Sequence, residues 1–152
     1  RYGHQNEPPA SPDEPRTLSG QVETIETDAG ATVGDVTYGV TFVGRVGGDF
    51  DAFVSVVIDY APPNPGPNVT HNIVGGQWVI ERPDGSLTGV FPRGSARWEG
   101  FTFTAEVEAD LHIDGSSGVF EGAGHGTFHG ELSHLTYPPT LTGTLTLHLA
   151  PE

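Results

Sequence analysis

Cysteine, methionine and lysine are all absent from this 152-residue chain. Without cysteine the protein forms neither disulfides nor thiolate metal sites, and without lysine it has no side-chain amine for Schiff-base chemistry. Because disulfide-free secreted proteins exist, the lack of cysteine does not fix the compartment. The absence of both sulfur-containing residues suits a durable extracellular protein that resists oxidation.

Positive charge is also scarce, since 6 arginines stand against 20 acidic residues and the formal net charge is −14. Nucleic acids and anionic membrane surfaces bind basic patches, so this balance argues against both as partners. No run approaches the ~20 apolar residues that cross a bilayer as a helix. We therefore predict a protein with no nucleic-acid partner and no membrane span.

The residues that are present favour strands. The chain holds 22 glycines and 13 prolines, and no long segment between them carries a helical apolar period. Apolar residues occupy every odd position from Phe101 to Ile113, and leucines alternate with polar residues from Leu141 to Leu149. Such one-sided strands are typical of antiparallel sheets. We predict an all-β domain over residues 18–152, an antiparallel β-barrel or β-sandwich of about eight strands.

Residues 1–17 differ from the rest of the chain because they are polar and rich in proline. This composition predicts an extended N-terminal arm. An extended arm either docks on its own domain or adds to a neighbouring copy as a strand or clasp. The residues expected to make the assembly contacts are Tyr2, Pro8, Pro9, Pro12 and Pro15.

Two local features bear on the compartment. The chain begins at Arg1 rather than methionine, which indicates either processing of a longer precursor or trimming. Asn68-Val69-Thr70 fits the acceptor pattern for N-linked glycans and follows a proline-rich loop. We expect a secreted, extracellular protein, with Asn68 as a candidate glycosylation site.

Glycine-rich strand motifs in the second half of the chain resemble those of small secreted bacterial proteins similar to the allene oxide cyclase and dirigent barrels. This resemblance implies an eight-stranded antiparallel barrel. No catalytic motif of that family is present to be carried over onto this sequence. The motifs are Gly75–Trp78, Leu87–Phe91, Gly118–Gly130 and Leu141–Leu145.

Acidic and imidazole side chains share the polar face of the C-terminal strands. A turn at Asp114–Ser117 that pairs Ile113 with Gly118 would set Glu106 opposite His125. Pairing Glu131 with Thr140 would then place His148 diagonal to His125. The resulting patch suits a divalent metal, or a proton-transfer role for His125, whereas the alternative is a solvated outer face. Its members are Glu106, Glu108, Glu121, His125 and His148.

A set of aspartates supplies hard oxygen ligands of the kind that calcium prefers. Their spacing matches no calcium-binding loop, so a role in forming turns is favoured. Nothing in the sequence requires a cofactor, and a divalent metal such as calcium stays an alternative. The aspartates are Asp28, Asp35, Asp49, Asp51 and Asp59.

Four aromatic residues are candidates for the lining of a ligand pocket, although aromatic residues at strand spacing are more often core. They are Trp78, Trp98, Phe101 and Phe103. No nucleophile elbow, phosphate-binding loop or zinc-binding helix motif occurs, so no catalytic residue is predicted.

Together these features predict a secreted, non-enzymatic structural protein that self-assembles through its N-terminal arm into a homo-oligomer or polymer. The alternative is a small-molecule-binding barrel or cyclase-like enzyme, which requires an aromatic-lined interior cavity of ~300–1,000 Å³.

Overall fold

The computed structural model describes residues 14–64, 69–99 and 102–151, which form a closed antiparallel barrel of eight strands. This confirms the all-β prediction and selects the barrel over the sandwich. The described part of the chain holds no helix with the length and hydropathy of a membrane span. The strands are β1 (Arg16–Val33), β2 (Val36–Gly48), β3 (Ala52–Tyr60), β4 (Val69–Arg82), β5 (Gly85–Trp98), β6 (Thr104–Gly118), β7 (Ala123–Ser133) and β8 (Thr140–Ala150).

The barrel closes where β1 pairs with β8, from Arg16 opposite Leu149 to Ile25 opposite Thr140. The first strand therefore begins two residues before the predicted domain boundary at Leu18. Of the predicted arm contacts, Pro15 is exposed. The others, Tyr2, Pro8, Pro9 and Pro12, lie outside the described residues.

The predicted pairing of the C-terminal strands is wrong, although their predicted faces are right. Glu106 lies opposite Glu131 rather than His125. The reason is that β6 does not turn at Asp114 but continues to Gly118, where its last residues pair with Gly85–Thr88 of β5. The partner of Glu106 differs from the predicted one by six positions, and that of Glu131, which is Thr142 rather than Thr140, by two. Because both shifts are even, the same side chains still point outward.

Alternation along the strands fills the barrel with apolar side chains. Glycines make room for the largest rings, because a Cβ at Gly89 would meet the Trp78 ring and one at Gly130 or Gly143 would meet Phe128. The side chains that are almost fully buried and largest are Phe42, Phe50, Phe120, Ile58, Ile80, Leu87, Leu147 and Val46.

One end of the barrel is closed by two rings, and we call this end the floor. Phe50, after β2, and Phe120, after β6, meet edge to face with ring centroids 5.3 Å apart. Beside them the buried Arg16 donates a hydrogen bond of 2.7 Å to the Val119 carbonyl. The floor therefore combines an aromatic plug with a guanidinium that binds the β6–β7 turn.

The wall is interrupted between β4 and β5. Their ladder runs from Val69 to Asn72 on β4 and resumes at Trp78, which lies opposite Gly89. Pro92, on the facing stretch of β5, has no N–H to donate to a ladder. The indole of the buried Trp78 crosses the gap and donates a 3.1 Å hydrogen bond to the Val90 carbonyl.

The β3 segment is apolar on both faces, which predicted a central strand or one covered by a partner. It spans Ala52–Tyr60 between β2 and β4, and its outward positions are exposed or half-buried rather than covered. Its outward-facing Phe53 is exposed, and the Arg45 guanidinium lies 4.9 Å from the ring centroid. A cation on the ring covers part of this apolar surface.

Candidate binding site at the open end of the barrel

A cavity of about 260 Å³ lies at the end opposite the floor, and we call it the mouth pocket. It is formed where β1, β3, β5 and β7 end and β2 and β4 begin. Most of its wall is apolar, and four ionisable side chains also line it. Its lining is Glu26, Ala29, Thr37, Val40, Phe42, Tyr60, His71, Ala96, Trp98, Leu132 and His134.

The interior below the mouth pocket is almost full. The space left between the inward side chains is about 50 Å³, and its lining includes Trp78, Phe91 and Phe128. The barrel therefore lacks, in its described residues, the large interior cavity that the small-molecule-binding alternative required. The aromatic rings that the glycines accommodate occupy that volume.

Glu26 brings a carboxylate to this apolar setting. It continues the inward-facing series of Val22 and Thr24 on β1, just before an irregularity in the pairing with β2. Its backbone N–H donates to the Pro139 carbonyl at 2.8 Å. Burial raises the pKa of the Glu26 carboxyl; His134 opposes the rise and Asp28 adds to it. The desolvation cost outweighs the favourable imidazole partner.

Tyr60 and His71 lie together at the ends of β3 and β4. Their ring centroids are 6.2 Å apart, edge to face. The His71 Nδ1–H donates to the Ala61 carbonyl at 3.1 Å, which fixes the ring orientation. Burial raises the pKa of the Tyr60 phenol, and Glu26 raises it further. Tyr60 therefore stays protonated and offers an O–H donor in the same pocket as the Glu26 acceptor.

His134 and Trp98 form the other side of the mouth. Their rings meet edge to face with centroids 5.2 Å apart, and the His134 backbone N–H donates to the Phe103 carbonyl at 2.7 Å. Phe103, Leu135 and Tyr137 are 63%, 68% and 95% exposed on the neighbouring loops. Exposed apolar groups concentrated at one place mark interaction sites more often than scattered ones do.

The structure separates the four predicted pocket aromatics. Trp98 lines the mouth pocket, and Trp78 lies below it in the core. Phe103 is on the surface beside the mouth. Phe101 lies outside the described residues, as does the candidate glycosylation site Asn68.

The predicted metal patch is divided into two groups. His125 and His148 are direct cross-strand partners, with ring centroids 5.1 Å apart. Glu106 and Glu108 lie instead with His129, which was not part of the predicted patch. The ligand atoms of these three residues are all within 4.8 Å of one another. Glu121 lies in the β6–β7 turn and belongs to neither group.

Three of the five aspartates considered for calcium accept hydrogen bonds from backbone N–H groups, one within a local turn and two across neighbouring strands. Asp28 accepts from Gly30 at 2.8 Å, Asp49 from Ser19 at 2.8 Å and Asp59 from Gly39 at 2.9 Å. Their oxygens stabilise the backbone where strands bend or turn.

The sequence-based interpretation did not select the four ionisable residues of the mouth pocket. Two of them carry a signal that alternation reveals. Glu26 and Tyr60 each continue an inward-facing series, so a carboxylate and a phenol fall on the apolar face near a strand end. His71 and His134 were not selected in this way: His71 is the third residue of β4, and His134 follows the last residue of β7.

Comparison of the chain with family models, curated proteins and solved structures gave no match.

Proposed function

We propose that the protein binds a small, mainly apolar molecule with one polar group in the mouth pocket. The observation that carries this proposal is the convergence of Glu26 and Tyr60, whose ionised forms are both disfavoured, on an apolar cavity. Ligand pockets are mostly apolar with a few polar groups, and shifted pKa values are common in them. The volume of about 260 Å³ lies just below the ~300 Å³ at which typical ligand sites begin.

The charges around the pocket select among polar groups. A hydroxyl or an ammonium group bonds favourably to the Glu26 carboxylate, and a hydroxyl also accepts from Tyr60. A ligand carboxylate would instead lie beside Glu26 and Asp28 in a chain of net charge −14. Like charges held close together in a partly desolvated site repel. The preferred ligand is therefore an alcohol or amine on an apolar ring or chain.

Three matched probes test this proposal: naphthylmethanol, naphthylmethylamine and naphthoate. We expect the first two to raise the thermal unfolding midpoint of the full chain and to perturb the NMR signals of Trp98. Stabilisation reaches about 2.7 kcal/mol when the free ligand is at 100 times its Kd. Naphthoate should give a much smaller effect, and Glu26→Gln should reduce the difference between the amine and the acid.

Two variants narrow the pocket. Thr37→Trp places a large ring at the half-buried edge of the cavity, and Ala96→Leu fills its wall if the first variant fails to fold. Val74→Trp, on the exposed outer wall, is the matched control. Binding of the alcohol to the control but to neither pocket variant supports the proposal. Equal binding to all variants, or no binding to the wild type, contradicts it.

Self-assembly through the N-terminal arm is a second proposal, supported by a free strand edge. The β1–β8 ladder stops at Ile25, whereas β1 continues to Val33 with β2 on one side. Among the described residues, none pairs with the other edge of 27–33. An extended segment of an extracellular neighbour adds to such an edge through main-chain hydrogen bonds.

Removal of residues 1–14 tests the second proposal. This truncation keeps Arg16 and Thr17, which belong to β1 and pair with β8. Light scattering should show particles larger than the 16.0 kDa chain for the full sequence and a monomer for the truncated one. A monomeric full chain, or assembly that survives truncation, would exclude the arm as the assembly device.

A further inference from the structure

Three histidines form a row across the outer wall, remote from the mouth pocket. The register places His112 of β6 opposite His125 of β7, and His125 opposite His148 of β8. All three side chains are exposed. Directly opposed residues on one face of a sheet have Cβ atoms ~4.5–5.5 Å apart, so neighbouring imidazoles in this row are within mutual reach.

His125, in the middle of the row, and His148 already face each other. The ring centroids of His125 and His148 are 5.1 Å apart, and the ring planes differ by 34°. Zn–N distances of about 2.0–2.1 Å and a tetrahedral angle at the metal place two coordinated imidazole centroids about 5 Å apart. The centroid spacing of this pair therefore matches the value for two imidazoles that share a zinc ion.

The surroundings leave room for an ion and its water ligands. A surface groove of about 360 Å³ runs beside the pair, and Thr17 also lines it. The Thr17 Oγ1 lies 3.1 Å from Nδ1 of His148, which orients that ring and leaves its Nε2 for a metal. Arg16 also borders the groove, but its guanidinium binds the carbonyls of Val119 and Glu121.

A second group of ligand atoms on this wall is less suited to a cation. Glu106, Glu108 and His129 are all exposed, and the Arg97 guanidinium lies 3.6 Å from the Glu106 carboxylate. A fixed positive charge bound to one of the three ligands competes with a metal ion. Binding of a cation to His125 and His148 would not require an ion pair between a ligand carboxylate and an arginine to break first.

We propose that His125 and His148 together bind one borderline divalent cation of the Zn²⁺ class on the outer wall. Neutral imidazole is a preferred ligand of Zn²⁺, Cu²⁺ and Ni²⁺, whereas Ca²⁺ prefers oxygen. His112 provides a second pairing with His125, so His125 is common to both pairs. The net charge of −14 attracts cations to the surface as a whole.

Calorimetric titration of the full chain with Zn²⁺ alone tests the site. We expect saturable binding that is weakened more than about tenfold by His125→Ala, since loss of a direct ligand exceeds the ~10–100-fold effect of residues that only orient ligands. His148→Ala should weaken binding strongly and His112→Ala least. Ca²⁺ should give no signal that depends on His125. Because all three side chains are exposed, the variants should fold as the wild type does.

His129→Ala is the matched control, an exposed histidine of the same strand whose loss should leave Zn²⁺ affinity unchanged. Three results would overturn the proposal. These are an undetectable Zn²⁺ signal in the wild type, equal affinity of wild type and His125→Ala, and a loss of binding in His129→Ala alone. The last result would assign the metal to the Glu106, Glu108 and His129 group.

Discussion

Replacement of Phe120 by alanine is expected to lower the free energy of unfolding by about 3–5 kcal/mol, the usual cost of truncating a buried phenylalanine. The Phe120 side chain has 0% exposure and packs edge to face on Phe50. Its removal leaves a cavity in the floor and takes away the aromatic contact. Phe120 lies between β6 and β7, and both strands are paired with their neighbours, so the backbone has little freedom to collapse into the space. Urea unfolding followed by far-ultraviolet circular dichroism measures the change.

Phe103→Ala is the natural comparison, because it removes the same side chain from the surface. Phe103 is 63% exposed, and substitutions at such positions usually stay within about 0.5 kcal/mol. The unfolding midpoint should therefore move far less than in Phe120→Ala. Similar losses in the two variants would show that Phe120 does not have the closing role that its position assigns to it.

Gly89→Ala is expected to destabilise the protein by about 1–3 kcal/mol, the range for overpacked cores, even though only one methyl group is added. That methyl group would meet the Trp78 ring and the His112 carbonyl oxygen. The ring cannot retreat without breaking its hydrogen bond to the Val90 carbonyl across the gap in the wall. Near-ultraviolet circular dichroism reports the Trp78 environment, and urea unfolding gives the free energy.

Gly47→Ala provides the control for the general cost of replacing a strand glycine. The nearest atom to a Cβ at Gly47 is an Asp51 carboxylate oxygen at 3.1 Å, and that side chain is free to turn away. We expect a change within about 0.5 kcal/mol. If Gly89→Ala is tolerated equally well, then packing between Trp78 and the β5 backbone is looser than the structure indicates.

Local pattern determines the strands and their faces because alternation is a property of consecutive residues. It predicts the inward and outward faces of β6 and β8, which the structure confirms. Register is different. A shift by an even number of residues keeps the same side chains outward, so alternation alone cannot distinguish the pairing of Glu106 with His125 from its observed pairing with Glu131.

The same limit explains why the mouth pocket was not predicted. Glu26, Tyr60, His71 and His134 come from four separate parts of the chain and meet because the sheet closes on itself. Closure depends on pairing between β1 and β8, which are separated by more than a hundred residues. The histidine row, by contrast, joins consecutive strands. Two of its members, His125 and His148, were already included in the predicted patch.

The closed floor has a consequence for how this protein can be attached to anything else. Chain that precedes Arg16 or follows Ala150 leaves the barrel beside Phe50 and Phe120, because Arg16 and Leu149 are paired there. A fusion partner, a linker or a solid support joined at either point lies on that side. The opening with Glu26 and Tyr60 then faces away from the attachment, so the mouth pocket of a tethered barrel keeps full access to solvent.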